Sequence, residues 1–224
     1  MTVTISQSFA SDGPRLHPWP VRIMHWINAV AMIVMIGSGW GIYNDSVIFG
    51  SLYFPQPVRL GSWAAESLLW HFAGMWVLAL NGLAYLVYGF VTGRFRERLL
   101  PIRIADVIRT VRETLRFQIS HDDLTVYNAV QKILYLVVMV AGVMQVITGL
   151  AVWKPVQFSW LVDLFGTFQG ARLAHFLGMA VIVCFLLVHV TLALLVPRTL
   201  WAMLSGGPRL APPRLRNPHA GEPR

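Results

Sequence analysis

Charge is what this chain has least of. Only 12% of its 224 residues are Asp, Glu, Lys or Arg, about half the share of a soluble domain. So few charges cannot clothe a water-facing surface, which excludes a soluble globule. Acidic residues are scarcer than basic ones, 10 against 18, for a net charge of +8. Cysteine is nearly absent. Cys184 stands alone, so neither a disulfide framework nor a redox dithiol can form. No small-residue cleavage site follows the first apolar run before Gly41-Ile42-Tyr43, and that run is too long for a signal peptide. It reads as a retained span.

What the chain has instead is long apolar runs. Mean hydropathy is +0.58, and four stretches carry no Asp, Glu, Lys or Arg: 23–44, 67–93, 133–153 and 173–197. Each reaches the roughly 20 residues that cross a bilayer as a helix. With no water to satisfy backbone polar groups there, each must be helical. The expected fold is all-α, an integral membrane four-helix bundle. It divides into a lead-in at 1–20, the bundle at 21–200 and a disordered tail at 201–224, of which 205–224 is rich in Gly, Pro and Arg. Between the second and third spans, Ile104, Ile108, Val111 and Leu115 share one helical face away from Arg103, Arg109, Arg112 and Arg116. That pattern predicts a helix lying on the membrane surface.

An even number of spans puts both termini on one side with the 94–132 segment. That side holds 15 of the 18 Lys and Arg; Arg59, Lys154 and Arg172 lie opposite. The positive-inside bias makes the crowded side cytoplasmic, so a bacterial inner-membrane protein with both termini inside is expected. Topology and anionic lipid account for the positive charge, and no nucleic-acid partner is needed.

Four histidines interrupt the apolar runs: His25 in the first, His71 in the second, and His175 and His189 in the fourth. Ionisable groups inside a membrane mark function by default. The fourteen residues from His175 to His189 amount to about 21 Å of helix rise, within roughly 40° of one face. One helix thus offers two imidazoles near opposite membrane surfaces, an arrangement suited to two stacked metal centres. Haem b is the centre most easily housed between helices. The Cys-x-x-Cys-His signature of covalent attachment is missing, so ligation and packing alone would hold it. Level with one another, His71 and His175 form the expected outer pair and His25 and His189 the inner pair. Residue counts match the inner depths less well, so that pair depends on helix tilt.

A local repeat supports the outer pair: His71-Phe72-Ala73-Gly74-Met75 and His175-Phe176-Leu177-Gly178-Met179. Gly74 and Gly178, three residues after each histidine, are expected on its face, leaving room for a flat ring. Met75 and Met179 are expected to pack around it. Gly37, Gly39, Gly41, Gly142 and Gly149 admit either a macrocycle or close helix packing. Arg22 and Arg172, each three residues before a histidine, are placed for haem propionates or for snorkelling to the interface. His17, His121 and His219 fall outside the spans.

Three segments carry a family resemblance: Arg22-Ile23-Met24-His25-Trp26, Tyr127-Asn128-Ala129-Val130-Gln131-Lys132, and the His175/His189 spacing. Over roughly 18–200 the chain resembles the di-haem cytochrome b subunits of nickel–iron hydrogenases and formate dehydrogenases, grouped with bacterial cytochrome b561 proteins. The resemblance implies two haems linking a periplasmic oxidoreductase subunit to a membrane quinone. It also implies that Asn128 and Gln131 match the quinone-site motif, their amides suited to a quinone carbonyl. His121, Asp122 and Asp123 then either relay protons or cap the third span. The Tyr53-Phe54-Pro55 loop and the Trp153-Lys154-Pro155 turn look closer to thiosulfate-reductase-like cytochromes, which leaves open whether the partner is a molybdenum-cofactor enzyme or a hydrogenase.

Two other readings compete. A stand-alone oxidase of superoxide or another small reductant would need a basic outer funnel from Arg59, Lys154 and Arg172. A small proton-coupled transporter would show broken helices or whole-helix repeats, and the five-residue repeat is too short for that.

Overall fold

The structure is a computed structural model that describes residues 15–93 and 129–209, with the backbone alone at 129–133. Six α-helices appear there: α1 (Trp19–Asp45), α2 (Ala64–Val91), α3 (Ala129–Trp153), α4 (Ser159–Leu164), α5 (Phe168–Leu195) and α6 (Pro197–Ser205). Four of them, α1, α2, α3 and α5, are long and apolar enough to cross a membrane.

Local chemistry sets their starts. α1 opens after Pro18, with Pro20 in its first turn, where a missing N–H costs no helical hydrogen bond. In α2, Glu66 reaches back to accept from the Ser62 amide and hydroxyl at 2.8 and 2.5 Å, as a capping carboxylate does. At α5 the Thr167 hydroxyl accepts from the Gly170 amide at 3.0 Å. α6 ends at Gly206, whose φ of 103° lies in the left-handed region that closes helices.

The spans pair as two hairpins, α1 with α2 and α3 with α5. Their buried positions are mostly small: Ala31, Gly37, Ser38 and Gly41 on α1, Ser67, Gly74 and Gly89 on α2, Ala141, Thr148 and Ala151 on α3, Ala171 on α5. Lipid tails are as apolar as Leu, so spans associate by close backbone approach over small residues. The two hairpins repeat each other. Ser38-Gly39, Gly41 and Tyr43 stand on α1 at the spacing of Thr148-Gly149, Ala151 and Trp153 on α3. Ser67, His71, Phe72 and Gly74 on α2 do the same for Ala171, His175, Phe176 and Gly178 on α5. The five-residue repeat expected to stop there is thus the visible part of a hairpin duplication.

Between hairpins the contacts are made by rings. Phe72 meets Trp153 at 5.2 Å, and its counterpart Phe176 meets Tyr43 at 4.8 Å. The loop after α1 folds back over its end. Trp40 stacks on Phe54 at 4.7 Å, Asn44 exchanges two hydrogen bonds with the Phe54 backbone, and the Leu60 amide donates to Gly37 O at 3.0 Å. At the other end, the amides of Leu16 and His17 donate to Pro208 O and Gly206 O, each at 3.0 Å. The tail boundary expected at 201 therefore falls inside α6, and ordered chain continues to 209. Pro197 starts a new helix there rather than ending the structure. Residues 94–124, where the surface helix was expected, and 210–224 lie outside the described residues.

A Cβ on Gly41 would collide with the Ser67 hydroxyl and stand 2.9 Å from its Cβ, whereas nothing lies within 4 Å of one on Gly82. Gly41→Leu should cost about 1–3 kcal/mol through overpacking. Gly82→Ala should be neutral or stabilising by up to about 1 kcal/mol. Thermal unfolding in detergent checks both, and equal effects would refute this account of the α1–α2 contact.

Candidate cofactor site

Two imidazole pairs occupy opposite ends of the bundle. At the loop end, His71 of α2 faces His175 of α5 with ring centroids 6.4 Å apart and planes at 68°. At the end bearing the described termini, His25 of α1 faces His189 of α5 at 6.1 Å and 65°. The mismatch in depth feared for this second pair is absent. α1 starts early enough, at Trp19, that His25 lies in its second turn, level with His189 near the end of α5. Each pair bridges the two hairpins.

These distances test whether a metal fits. A metal held between two imidazoles by bonds of about 2 Å, with roughly 1.2 Å from each nitrogen to its ring centre, would put the centroids at most about 6.4 Å apart. The pairs, at 6.4 and 6.1 Å, lie within that reach. No group of three or more His, Cys, Asp or Glu suited to a metal occurs among the described residues. Two histidines alone hold a bare ion poorly, but each pair would suit an iron whose remaining ligands came from a porphyrin.

The surroundings of the two pairs differ. At the loop end each Nδ1 meets a buried hydroxyl: His71 Nδ1 lies 3.0 Å from Ser38 Oγ, and His175 Nδ1 lies 2.9 Å from Thr148 Oγ1. At the terminal end the rings are flanked by aromatics. His25 meets the edge of Trp26 at 5.3 Å, and His189 stacks on Phe185 at 5.5 Å and 12°. Ser38 and Thr148 were missed in the sequence. Their one signal is the recurrence of a hydroxyl residue followed by glycine, Ser38-Gly39 and Thr148-Gly149, on two spans that otherwise differ.

The glycines sort differently from expectation. A Cβ on Gly74 would sit 3.1 Å from Val34 Cγ1 and Met35 Sδ, and one on Gly178 would sit 2.6 Å from Gln145 Oε1. Both therefore face the other helix of their own hairpin and permit close packing there, rather than clearing space for a ring. The glycines beside the imidazoles are Gly39 and Gly149, whose Cβ positions fall 3.5 and 3.4 Å from His71 Cε1 and His175 Cε1. Gly37 packs against the Val58–Leu60 backbone, and Gly142 has open space around it.

Arg22 donates from Nε to Met203 O at 3.2 Å, tying α1 to α6. Arg172 donates to Gln169 Oε1 at 2.8 Å and to Ser46 O, tying α5 to the end of α1. Of the other basic groups opposite the termini, Arg59 donates to Gln56 Oε1 and Lys154 lies over the Trp153 ring at 5.1 Å. Each of the three is engaged with its own neighbour. Asn128, His121, Asp122 and Asp123 lie outside the described residues, as does the side chain of Gln131 in the first turn of α3.

Comparison with known proteins fits this geometry. Residues 16–206 match the family model for prokaryotic cytochrome b561. A putative protein-methionine-sulfoxide reductase subunit, YedZ1, of Azospira oryzae is 40% identical over 191 residues, covering 85% of this chain and 96% of that protein. A probable Ni/Fe-hydrogenase B-type cytochrome subunit of Cupriavidus necator is 26% identical over 202 residues, 78% of this chain and 76% of its own. A third relative of the same description, from Azotobacter vinelandii, is 26% identical over 205 residues, with 78% and 77% covered. Four apolar spans, histidines paired across them and the match over nearly all of the described chain make it a member of the prokaryotic cytochrome b561 family, a multi-pass membrane b-type cytochrome with an electron-transfer role.

Proposed function

We propose that this chain holds two haem b groups, one between His71 and His175 and one between His25 and His189, and connects the membrane quinone pool to an oxidoreductase partner. The observation that carries the reading is the pair of centroid distances, 6.4 and 6.1 Å, at the two ends of the single helix α5. When bound, the haems supply reversible one-electron carriage through a layer that charged carriers do not cross. The chain's own residues do the rest. The imidazoles fix the ligand geometry, Gly39 and Gly149 leave room beside two of them, and the apolar spans exclude water, which sets the potential. Arg22 and Arg172, at the helix ends near the histidines, favour the electron-rich form by their charge and are suited to propionates through N–H groups they would redirect.

The positive-inside bias supports cytoplasmic termini and a periplasmic face at the loop end. The relative named as a reductase subunit supports a partner of that kind over a hydrogenase. Electrons then leave a quinol near the cytoplasmic face and arrive at the periplasmic side. Two electrons and two protons per quinol balance the reduction of one sulfoxide to a thioether and water. Asn128 and Gln131 are the residues we assign to the quinone carbonyls, with His121, Asp122 and Asp123 as proton carriers.

Purified protein should contain two haems b per chain by pyridine haemochrome. His189→Ala should remove one haem and quinol oxidation while leaving the spectrum of the other. His71→Ala should remove the other haem. Loss of both haems in each variant, or a wild type that stays colourless when given haem, would overturn the reading. Gln131→Leu should keep both haems and slow haem reduction by quinol at least about tenfold, the scale of one lost hydrogen bond to the substrate. Unchanged reduction kinetics would remove Gln131 from the site.

A further inference from the structure

We infer that Ser38 and Thr148 are positioning residues that fix which nitrogen of His71 and His175 faces the iron and lower the potential of the haem between them. The inference rests on the bis-histidine reading above and concerns groups that touch neither iron nor porphyrin.

The argument turns on a single proton. A hydroxyl has one hydrogen to give and two lone pairs to offer. The Ser38 hydroxyl lies 2.6 Å from Val34 O and 3.2 Å from Met35 O, carbonyls of its own helix. The Thr148 hydroxyl lies 2.7 Å from Met144 O and 3.4 Å from Gln145 O. Carbonyls only accept, so each hydroxyl spends its hydrogen on the preceding turn, the usual back-bond of Ser and Thr in a helix. What each then shows its histidine is a lone pair. Nδ1 must donate, and Nε2 is left with the free electron pair that a metal requires.

Burial makes the arrangement decisive. Ser38 is 0% exposed and Thr148 is 1% exposed, so no water replaces the hydroxyl as acceptor. At His175 an Nδ1–H that lost the Thr148 oxygen would be an unsatisfied donor, a cost the opposite tautomer avoids by turning its lone pair the wrong way for ligation. His71 also hydrogen-bonds the Met35 backbone, an acceptor that holds the same tautomer and makes Ser38→Ala the milder of the two losses. The duplication of the device adds an independent argument. Ser38 and Thr148 stand at equivalent places in the two hairpins, and each meets its histidine through the same atoms. The glycine directly after each hydroxyl residue lets the ring approach, since the Cβ positions of Gly39 and Gly149 would lie against the imidazole Cε1 atoms. Among the described residues no hydroxyl hydrogen bond is formed by His25 or His189, whose neighbours are Trp26 and Phe185.

Electronic consequences follow from the direction of donation. An imidazole that gives away its Nδ1 hydrogen becomes a better σ-donor at Nε2. Stronger donation favours the ferric state and lowers the reduction potential. The effect acts on the haem held by His71 and His175 alone.

The test is a redox titration of the two-haem protein, followed optically and by low-temperature EPR. Thr148→Val, close in shape but lacking the hydroxyl, and Ser38→Ala should each raise the potential of one haem, leave the other unchanged and shift the low-spin EPR signal of the same haem. Together they should weaken retention of that haem by about 10–100-fold, the range for losing an outer partner of a metal-bound histidine. Thr148→Ser and Ser38→Thr keep the hydroxyl and should restore wild-type values. If Thr148→Val and Ser38→Ala bind two haems with wild-type potentials and EPR signals, the inference fails while the bis-histidine reading stands. If the wild type binds no haem, the reading beneath it fails instead. Potentials that move equally for both haems, or that Thr148→Ser fails to restore, would assign the hydroxyls a packing role only.

Discussion

The meeting of imidazoles across the gap between two helical hairpins is the constraint on which the bundle depends. Within each hairpin, small residues bring backbones together: Gly41 against Ser67, Gly74 against Val34 and Met35, Ala151 near Ala171. Between hairpins those contacts give way to rings. Lipid exerts no hydrophobic pressure to push the hairpins together, and two neutral imidazoles with centroids more than 6 Å apart attract one another weakly. A metal held by both, as proposed, would convert that spacing into a bond, so the packing within each hairpin matters to the site through the width of the gap it leaves.

The duplication explains both the symmetry and its limit. His71 and His175 are equivalents of each other, so the site at the loop end lies where the two hairpins match. His25 and His189 are not equivalents. The position of His25 on α1 corresponds to Tyr135 on α3, and that of His189 on α5 corresponds to Tyr85 on α2. The repeat thus carries a second histidine pair on one side and tyrosines on the other. Because α5 contributes to both pairs, the separation of the two sites is set by the rise of one continuous helix rather than by the packing of several. A helix changes that rise with difficulty, so placing one histidine of each pair on a single rod fixes the separation of the pairs.

Much of this was legible in the chain, and the parts that were not share a cause. Spans announce themselves because four runs without charge admit no other home. The histidines announce themselves because an ionisable group is costly in that setting. The pairing was read from topology, which puts His71 and His175 toward one surface and His25 and His189 toward the other, although residue counts matched the inner depths less well. Gly74 and Gly178 misled because an offset of three residues still turns a helix by about 60°. The histidines look across to the other hairpin, while the glycines look into their own. Ser38 and Thr148 went unread because small hydroxyl residues are common in membrane helices and only a third body, the ring on the adjacent helix, gives them meaning. The composition of the tail pointed to disorder from 201 since it averages a helix with the glycines and prolines that follow it.

The segment after α5 shows what such averaging hides. Arg15 donates to Ser205 O and Arg22 to Met203 O, carbonyls at the C-terminal end of α6, where unpaired acceptors and the negative end of the helix dipole both favour a cation. Gly206 and Gly207, with φ of 103° and 70°, turn the chain so that its backbone meets residues 15–17. Leu16 is buried to 1% exposure beneath this junction. The clasp joins the start of α1, which carries His25, to the end of α6, the helix that directly follows α5 and its His189. Unlike the loop-end pair, this one forms no hydroxyl hydrogen bonds among the described residues. The fastening here acts on helices instead: Arg22, three residues before His25, is tied to α6. The two ends of the bundle thus reach nearly the same imidazole spacing with different surroundings, hydroxyls against the rings at one end and a clasp between helices at the other.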